Sequence, residues 1–373
     1  MIRTTHRRRL VLGLTLSATL AVAACGGGDD SAETTSTPPS TAATTTKAPT
    51  TTAATTTTTT AAPTTTVPET TTTAAPAPTW PLTGLPLADP ADLTALRRAA
   101  VVKIANTGGL NGQAGLDAAD IVYEENVEYM TRFAAVFQSQ DPGEVGPIRS
   151  GRTQDVYLLE SLNQPLFLWS GGNANVTRAI NESQLVPFNE TRARPLGVEY
   201  RVSGKKAPHN LYGNLTKLWE NSPPELATPP AQFTYAAGQA APALALPAAR
   251  ADLQMKDGLG VTWEYDAASG RYFRSQKGRP HTAADGTQLS TENLVVLYVD
   301  YQPSPADHRS PEAQTTGNGE AFVLFDGVVT HGTWWRTDEF SPWAFTDDNG
   351  NPIALNPGNT WVELAYPGSM TLG

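Results

Sequence analysis

The 373-residue chain carries 26 lysines and arginines against 36 aspartates and glutamates, with five histidines and a single cysteine. A formal net charge of −10 argues against a nucleic-acid partner, because that binding rests on neutralising phosphates. One cysteine excludes an intramolecular disulfide, so a packed core has to hold the fold.

Arg3, Arg7, Arg8 and Arg9 form a basic start, and Leu10 to Ala23 is an apolar run too short to span a bilayer. The run closes on Val22-Ala23-Ala24-Cys25, the pattern of a lipoprotein signal. Residues 1–24 therefore read as a signal peptide, and Cys25 as the residue that takes a lipid. Removing residues 1–24, with four arginines and no acid, leaves 22 basic against 36 acidic residues, a net of −14. The expected location is the outer face of the cytoplasmic membrane, with the membrane itself as first partner through the lipid.

Residues 25–79 read as the lipidated cysteine followed by a disordered stalk. Ser31 to Thr79 holds 24 threonines and seven prolines, and no aromatic residue precedes Trp80. Such a segment lacks the large apolar groups that offset ordering entropy. As a coil its length reaches ~40 Å, enough to carry a domain toward a cell wall.

Residues 80–220 mix strand and helix signals and predict an α/β or α+β domain. Ala100 to Ile104 reads as a buried strand. From Ala119 to Tyr129 the residues alternate, with Ile121, Tyr123, Glu125 and Val127 on one face. Phe133 to Gln138 is a further strand, Gln154 to Leu162 a helix, Leu166 to Trp169 a strand, and Val176 to Ile180 opens another helix. Residues 221–252, rich in proline and alanine, read as a connection between domains. Residues 253–373 predict a smaller β-rich domain, a sheet or partly open barrel, with Asp326-Gly327 as a hairpin turn.

The sharpest local feature is Gly146-Pro147-Ile148-Arg149-Ser150-Gly151-Arg152, between a strand and a helix. Arg149, Ser150 and Arg152, joined by Arg132, suit an anion such as phosphate or carboxylate. The competing reading is a turn whose arginines pair with Glu124, Glu125 or Glu128. Lys206, His209 and Asn210 are further candidates for the anion site. Glu124, Glu125 and Glu128 are candidate acid–base groups. Glu124, Asn126 and Glu128 also fit a solvated polar face, and a buried Glu125 needs a partner such as Arg149. Trp334, Trp335 and Arg336 are a candidate binding surface, with one tryptophan expected in the core. The mature chain's four histidines lack zinc-motif spacing and neither a Walker loop nor a dinucleotide motif is present, so neither metal nor cofactor is expected.

The runs Ala119 to Glu124, Thr131-Arg132-Phe133, Gly146 to Arg152 and Lys206 to Asn210 resemble the YerB-like lipoproteins, as do Gly270 to Arg274, Asn293 to Val296, Gly332 to Arg336 and Pro357 to Trp361. The resemblance covers residues 80–373 as two successive domains of unknown function. It implies export and a Gram-positive type of envelope, and it supplies no reaction. The family's motif reads Gly-Pro-Val-Arg-Ser-Ala-Arg; here Ile148 and Gly151 replace its valine and alanine. The layout from Ala119 to Arg152 is also similar, by analogy alone, to the LytR-CpsA-Psr phosphotransferases, although Arg149 is followed by serine where that family has aspartate. Two hypotheses stand. One is a binding module for an anionic cell-wall component or an envelope protein. The other is an enzyme acting on a phosphate-bearing envelope substrate, with Glu124 or His209 as base.

Overall fold

The longer strands and helices follow the apolar runs in order: β1 (Ala100–Asn106), β2 (Ile121–Val127), β3 (Met130–Phe137), α1 (Gln154–Leu159), β4 (Leu166–Leu168), α2 (Ala174–Glu182) and β5 (Val186–Phe188). After the proline-rich stretch come β6 (Arg250–Gln254), β7 (Gly260–Asp266), β8 (Arg271–Gln276), β9 (Asn293–Tyr298), β10 (Gly317–Phe325), β11 (Val328–Arg336), β12 (Ala344–Asp347), β13 (Thr360–Ala365) and β14 (Met370–Leu372). This computed structural model describes residues 77–107 and 110–373. The expected signal peptide, Cys25 and nearly all of the expected stalk lie outside the described residues. The described residues belong to one compact unit.

One central sheet runs in the order β12-β11-β10-β9-β13-β2-β3-β1-β4-β5. Its join is parallel pairing of β13 with β2, Ile121 opposite Thr360 through Glu124 opposite Glu363. On its other side β13 pairs in parallel with β9. Strands buried on both faces read as near-continuous apolar runs, and β1, β9 and β13 are buried along their whole length. The β-rich region is thus a sheet and not a barrel, since β9 to β13 extend the sheet of the first half.

The remaining strands of the second half make a smaller sheet, β8-β7-β6-β14 with short edge pieces. It packs on one face of the central sheet through Trp263, which meets Trp361 edge-on at 5.2 Å between ring centroids, as does Phe133 at 5.2 Å. The other face is covered by α1, α2 and the stretch around Phe233. That stretch is part of residues 221–252, which sequence reads as a connection. Gln232 and Phe233 are buried there, and the carbonyl of Gln232 accepts from the Trp343 amide at 3.1 Å. The part of the proline-rich segment around Gln232 and Phe233 therefore covers the core.

The β10–β11 hairpin turns at Asp326 and Gly327, with φ of 51° and 75°. Both central residues are left-handed, the twist that a two-residue hairpin requires. Ile353 to Leu355, which its flanking turn suggests is a strand, makes a single bridge from Leu355 to Tyr235.

Candidate functional site

Alternation along the strands sends Lys103 of β1, Glu125 of β2 and Arg132 of β3 to the helix-covered face. The segment after Pro147 lies beside β1, with the Arg149 amide donating to the Lys103 carbonyl at 2.8 Å. Ile148 is buried in the opposite core, so Arg149 points to the same face as Lys103. Arg132 of β3 and the two arginines of the turn converge in this way, close enough that Arg149 and Arg152 both depress the Arg132 guanidinium.

Each charge has its own environment. Lys103 is fully buried between two carboxylates, 2.6 Å from Glu125 and 2.5 Å from Asp155. Burial and the neighbouring Asp155 push Glu125 above the ordinary carboxylate range, against the pull of Lys103. Its other oxygen accepts from Gln154 at 2.7 Å. The expected partner Arg149 is replaced by Lys103, because β1 is nearer to β2 than the turn is. Arg152 grips Glu128 in a two-pronged pair, 2.7 Å at each contact, which helps hold Glu128 down at about 2 despite its partial burial. Glu128 lies beyond the end of β2 and is committed to that pair.

Arg132 and Arg149 differ from their neighbours. Arg132 is 4% exposed, and its NH1 donates to the Ser150 carbonyl at 2.8 Å. Its Nε has no partner, nor has the buried Nε of Arg149. Burial first, and then Arg152 and Arg149, lower Arg132 to about 9; burial and Arg152 lower Arg149. His209 adjoins them, held below its usual value by burial and by Arg149, with its buried Nδ1 also unpartnered. The Ser150 and Ser170 hydroxyls stand 3.4 Å apart nearby. Beside Arg152 opens a groove of about 250 Å³ lined by Thr153, Tyr157, Asn175, Arg178, Glu182 and Ala306 among others.

His209 is brought here by a hairpin of two short strands, Glu199–Arg201 and Leu211–Asn214. Of the other candidates on it, Lys206 is exposed, and Asn210 is taken up by Arg201 at 2.9 Å. At the turn itself Gly151 is required by close approach, because a Cβ there would meet Trp169 Cε3 at 2.8 Å.

Glu124 lies on the opposite face. Neither it nor Asn126 is solvated; both are fully buried beneath the smaller sheet. Glu124 accepts from Asn106 at 3.1 Å, Thr131 at 2.6 Å and Arg274 at 2.5 Å. Arg274 also meets Gln276 at 3.0 Å and His281 Nδ1 at 2.5 Å. A guanidinium only donates, so Nδ1 accepts and the proton of His281 resides on Nε2, directed to Gln113 Oε1 at 3.0 Å. Burial and Arg274 keep His281 well below its usual value, and burial and Glu124 hold Glu363 well above its own. The ion pair of Glu124 with Arg274 therefore sits beside His281 and Glu363, whose charged forms burial disfavours. Alternation alone cannot tell water from a polar layer contributed by residues 150 positions away.

The Trp334-Trp335-Arg336 surface divides. Trp334 is in the core and donates to the Tyr298 carbonyl at 3.0 Å, whereas Trp335 is 48% exposed. Arg336 is no surface residue. It is buried, stacks on Trp343, and donates to the Tyr157 carbonyl of α1 at 2.7 Å and the Glu339 carbonyl at 2.7 Å. Sequence reasoning missed Lys103, whose signal is a lone lysine within an otherwise apolar strand. Among the described residues no cluster of three or more histidines or acids is set to hold a metal ion, and no helix is long and apolar enough to cross a membrane.

Two successive family models together cover most of the folded chain. Residues 82–227 match "Protein of unknown function (DUF3048) N-terminal domain" and residues 251–362 match the corresponding C-terminal domain. The chain belongs to this DUF3048, YerB-like family. It is similar to "Putative lipoprotein YerB" of Bacillus subtilis (strain 168), 26% identical over 290 residues that cover 76% of this chain and 85% of that protein. The crystal structure of YerB protein from Bacillus subtilis has the same fold, with a TM-score of 0.67 at 22% identity, covering 79% of this chain and 99% of that one.

Proposed function

We propose that the chain is a lipid-anchored module of the cell envelope, held by Cys25, that uses Arg132 and Arg149 to bind an anionic envelope component. The observation that carries this reading is the pair of guanidinia on one face whose Nε atoms donate to nothing. Burying a charge without a counter-charge is unfavourable, and an anion between the two would relieve it. The lipoprotein pattern at Cys25 and the description of the Bacillus relative support the anchor.

The enzymatic reading loses Glu124 as its base and keeps its other candidate, His209, which adjoins Arg149. Glu124 faces away from the arginines, Glu128 is bound by Arg152, and Glu125 is sealed with Lys103. A general base has to reach the proton it takes.

A thermal-shift titration with pyrophosphate, polyprenyl phosphates and peptidoglycan fragments tests the site. A ligand at 100 times its Kd adds ~2.7 kcal/mol. The shift is expected for the parent and lost in a folded Arg149→Ala variant. No shift with any ligand, and a lower melting temperature in the variant, would make Arg149 a structural residue. For the anchor, palmitate labelling is expected to disappear in Cys25→Ser.

A further inference from the structure

Of the four cations clustered on the helix-covered face, Lys103 lies between Glu125 and Asp155, and Arg152 pairs with Glu128. Arg132 and Arg149 remain, and among the described residues neither forms an ion pair with a carboxylate. Two uncompensated positive charges are left side by side, one on a side chain that is 96% buried, the complement of its 4% exposure.

We propose that the ligand of this site presents a doubly charged phosphoryl group, a terminal phosphate or pyrophosphate, and not a carboxylate or a singly charged phosphodiester. The inference rests on the anion-binding reading above and specifies its ligand. A dianion restores neutrality where a monoanion leaves one guanidinium uncompensated. The geometry agrees with the charge. Arg132 Nε, Arg149 Nε and His209 Nδ1 are three unpartnered nitrogens, and a terminal phosphoryl group offers three oxygens where a carboxylate offers two. Burial and Arg149 hold His209 below its usual value, and its unpartnered Nδ1 adds a hydrogen-bonding atom. The Ser150 and Ser170 hydroxyls add further donors.

The test is calorimetric titration of the full chain with methyl phosphate, dimethyl phosphate, acetate and sulfate. Methyl phosphate loses its second charge with a pKa of about 6. Its affinity relative to sulfate is therefore expected to fall roughly tenfold between about pH 7.5 and about pH 5, as the dianion fraction falls. Using the ratio to sulfate cancels changes in the protein. Dimethyl phosphate and acetate are expected to bind at least about tenfold more weakly than methyl phosphate near pH 7.5, the loss of one charge contact. In Arg149→Gln that preference is expected to vanish, and Arg132→Gln supplies the same readout should the first variant fold poorly. Equal affinity for acetate or dimethyl phosphate, still dependent on Arg149, would overturn the dianion while leaving an anion site. Binding of none of the four, with Arg149→Gln unchanged, would overturn both. Capture by phosphatidylcholine vesicles doped with phosphatidic acid, but not with phosphatidylglycerol, would assign the dianion to a lipid headgroup. Binding of soluble methyl phosphate without vesicle capture would assign it to a free or polymer-borne phosphate.

Discussion

Replacing Arg274 by methionine should separate the charge at the centre of the molecule from its packing. The methionine retains bulk near Phe133, Trp263 and Trp361, over whose rings the guanidinium lies 5.1 to 5.8 Å from each centroid. It removes the counter-charge of Glu124, which keeps only Asn106 and Thr131. Breaking a buried ion pair by removing one partner costs about 3–5 kcal/mol. At about 2.1 cal/mol/K per residue, the roughly 300 residues of the folded unit unfold with an entropy near 0.6 kcal/mol/K, so a loss of about 4 kcal/mol lowers Tm by roughly 6–7 °C. Glu124→Gln should cost a similar amount, because it strands the guanidinium. The double variant leaves no uncompensated charge, so its loss should be about 5 kcal/mol, short of the additive sum of about 8 kcal/mol by a coupling of about 3 kcal/mol. Equilibrium urea unfolding of the four proteins completes the cycle. Losses that add to within ~0.5 kcal/mol would refute the argument that this buried ion pair joins the two sheets.

Glu199 gives a pH-dependent prediction. It is 1% exposed, neither oxygen has a partner, and burial with Glu190 nearby raises it to about 7. The folded state therefore holds its proton more tightly than the unfolded chain, and stability falls as pH rises from about 4.5 through about 7. Glu199→Gln should gain up to ~3 kcal/mol above that window and nothing below it, read from urea midpoints at both ends; an equal gain at both would contradict the burial argument. Gly151→Ala should destabilise by about 1–3 kcal/mol through its clash with Trp169. Trp169→Phe in the same chain should recover part of that loss, and a purely additive double variant would show that the ring is not the obstacle.

The strands were readable because their apolar residues recur at the right period, and Asp326-Gly327 announced its hairpin by chemistry alone. The arginine cluster was also readable in part: two members sit in one motif, and Arg132 stands at the strand paired with β2. What sequence could not supply was the partner of each charge. Glu124 meets Arg274 150 residues on, and Arg336 spans 179 residues to reach the carbonyl of Tyr157. A polar residue in a strand has the same local signature whether water or a distant buried partner satisfies it. The proline-rich stretch around Phe233 misled for a related reason. Proline and alanine mark irregular backbone, and irregular backbone can cover a core as well as separate two.

The position of β13 also orders events in time. Every other strand of the central sheet precedes it along the chain, yet it lies between β2 and β9. During synthesis, which delivers the chain from its amino end, β2 has no neighbour on that side until Thr360–Ala365 emerges. The half-built sheet thus exposes an open edge of unpaired amides and carbonyls throughout delivery of the second half. Closing it demands contacts across more than two hundred residues, a topology that folds slowly and favours edge-to-edge association meanwhile. Tethering each chain to its own patch of membrane would keep such edges apart while they wait.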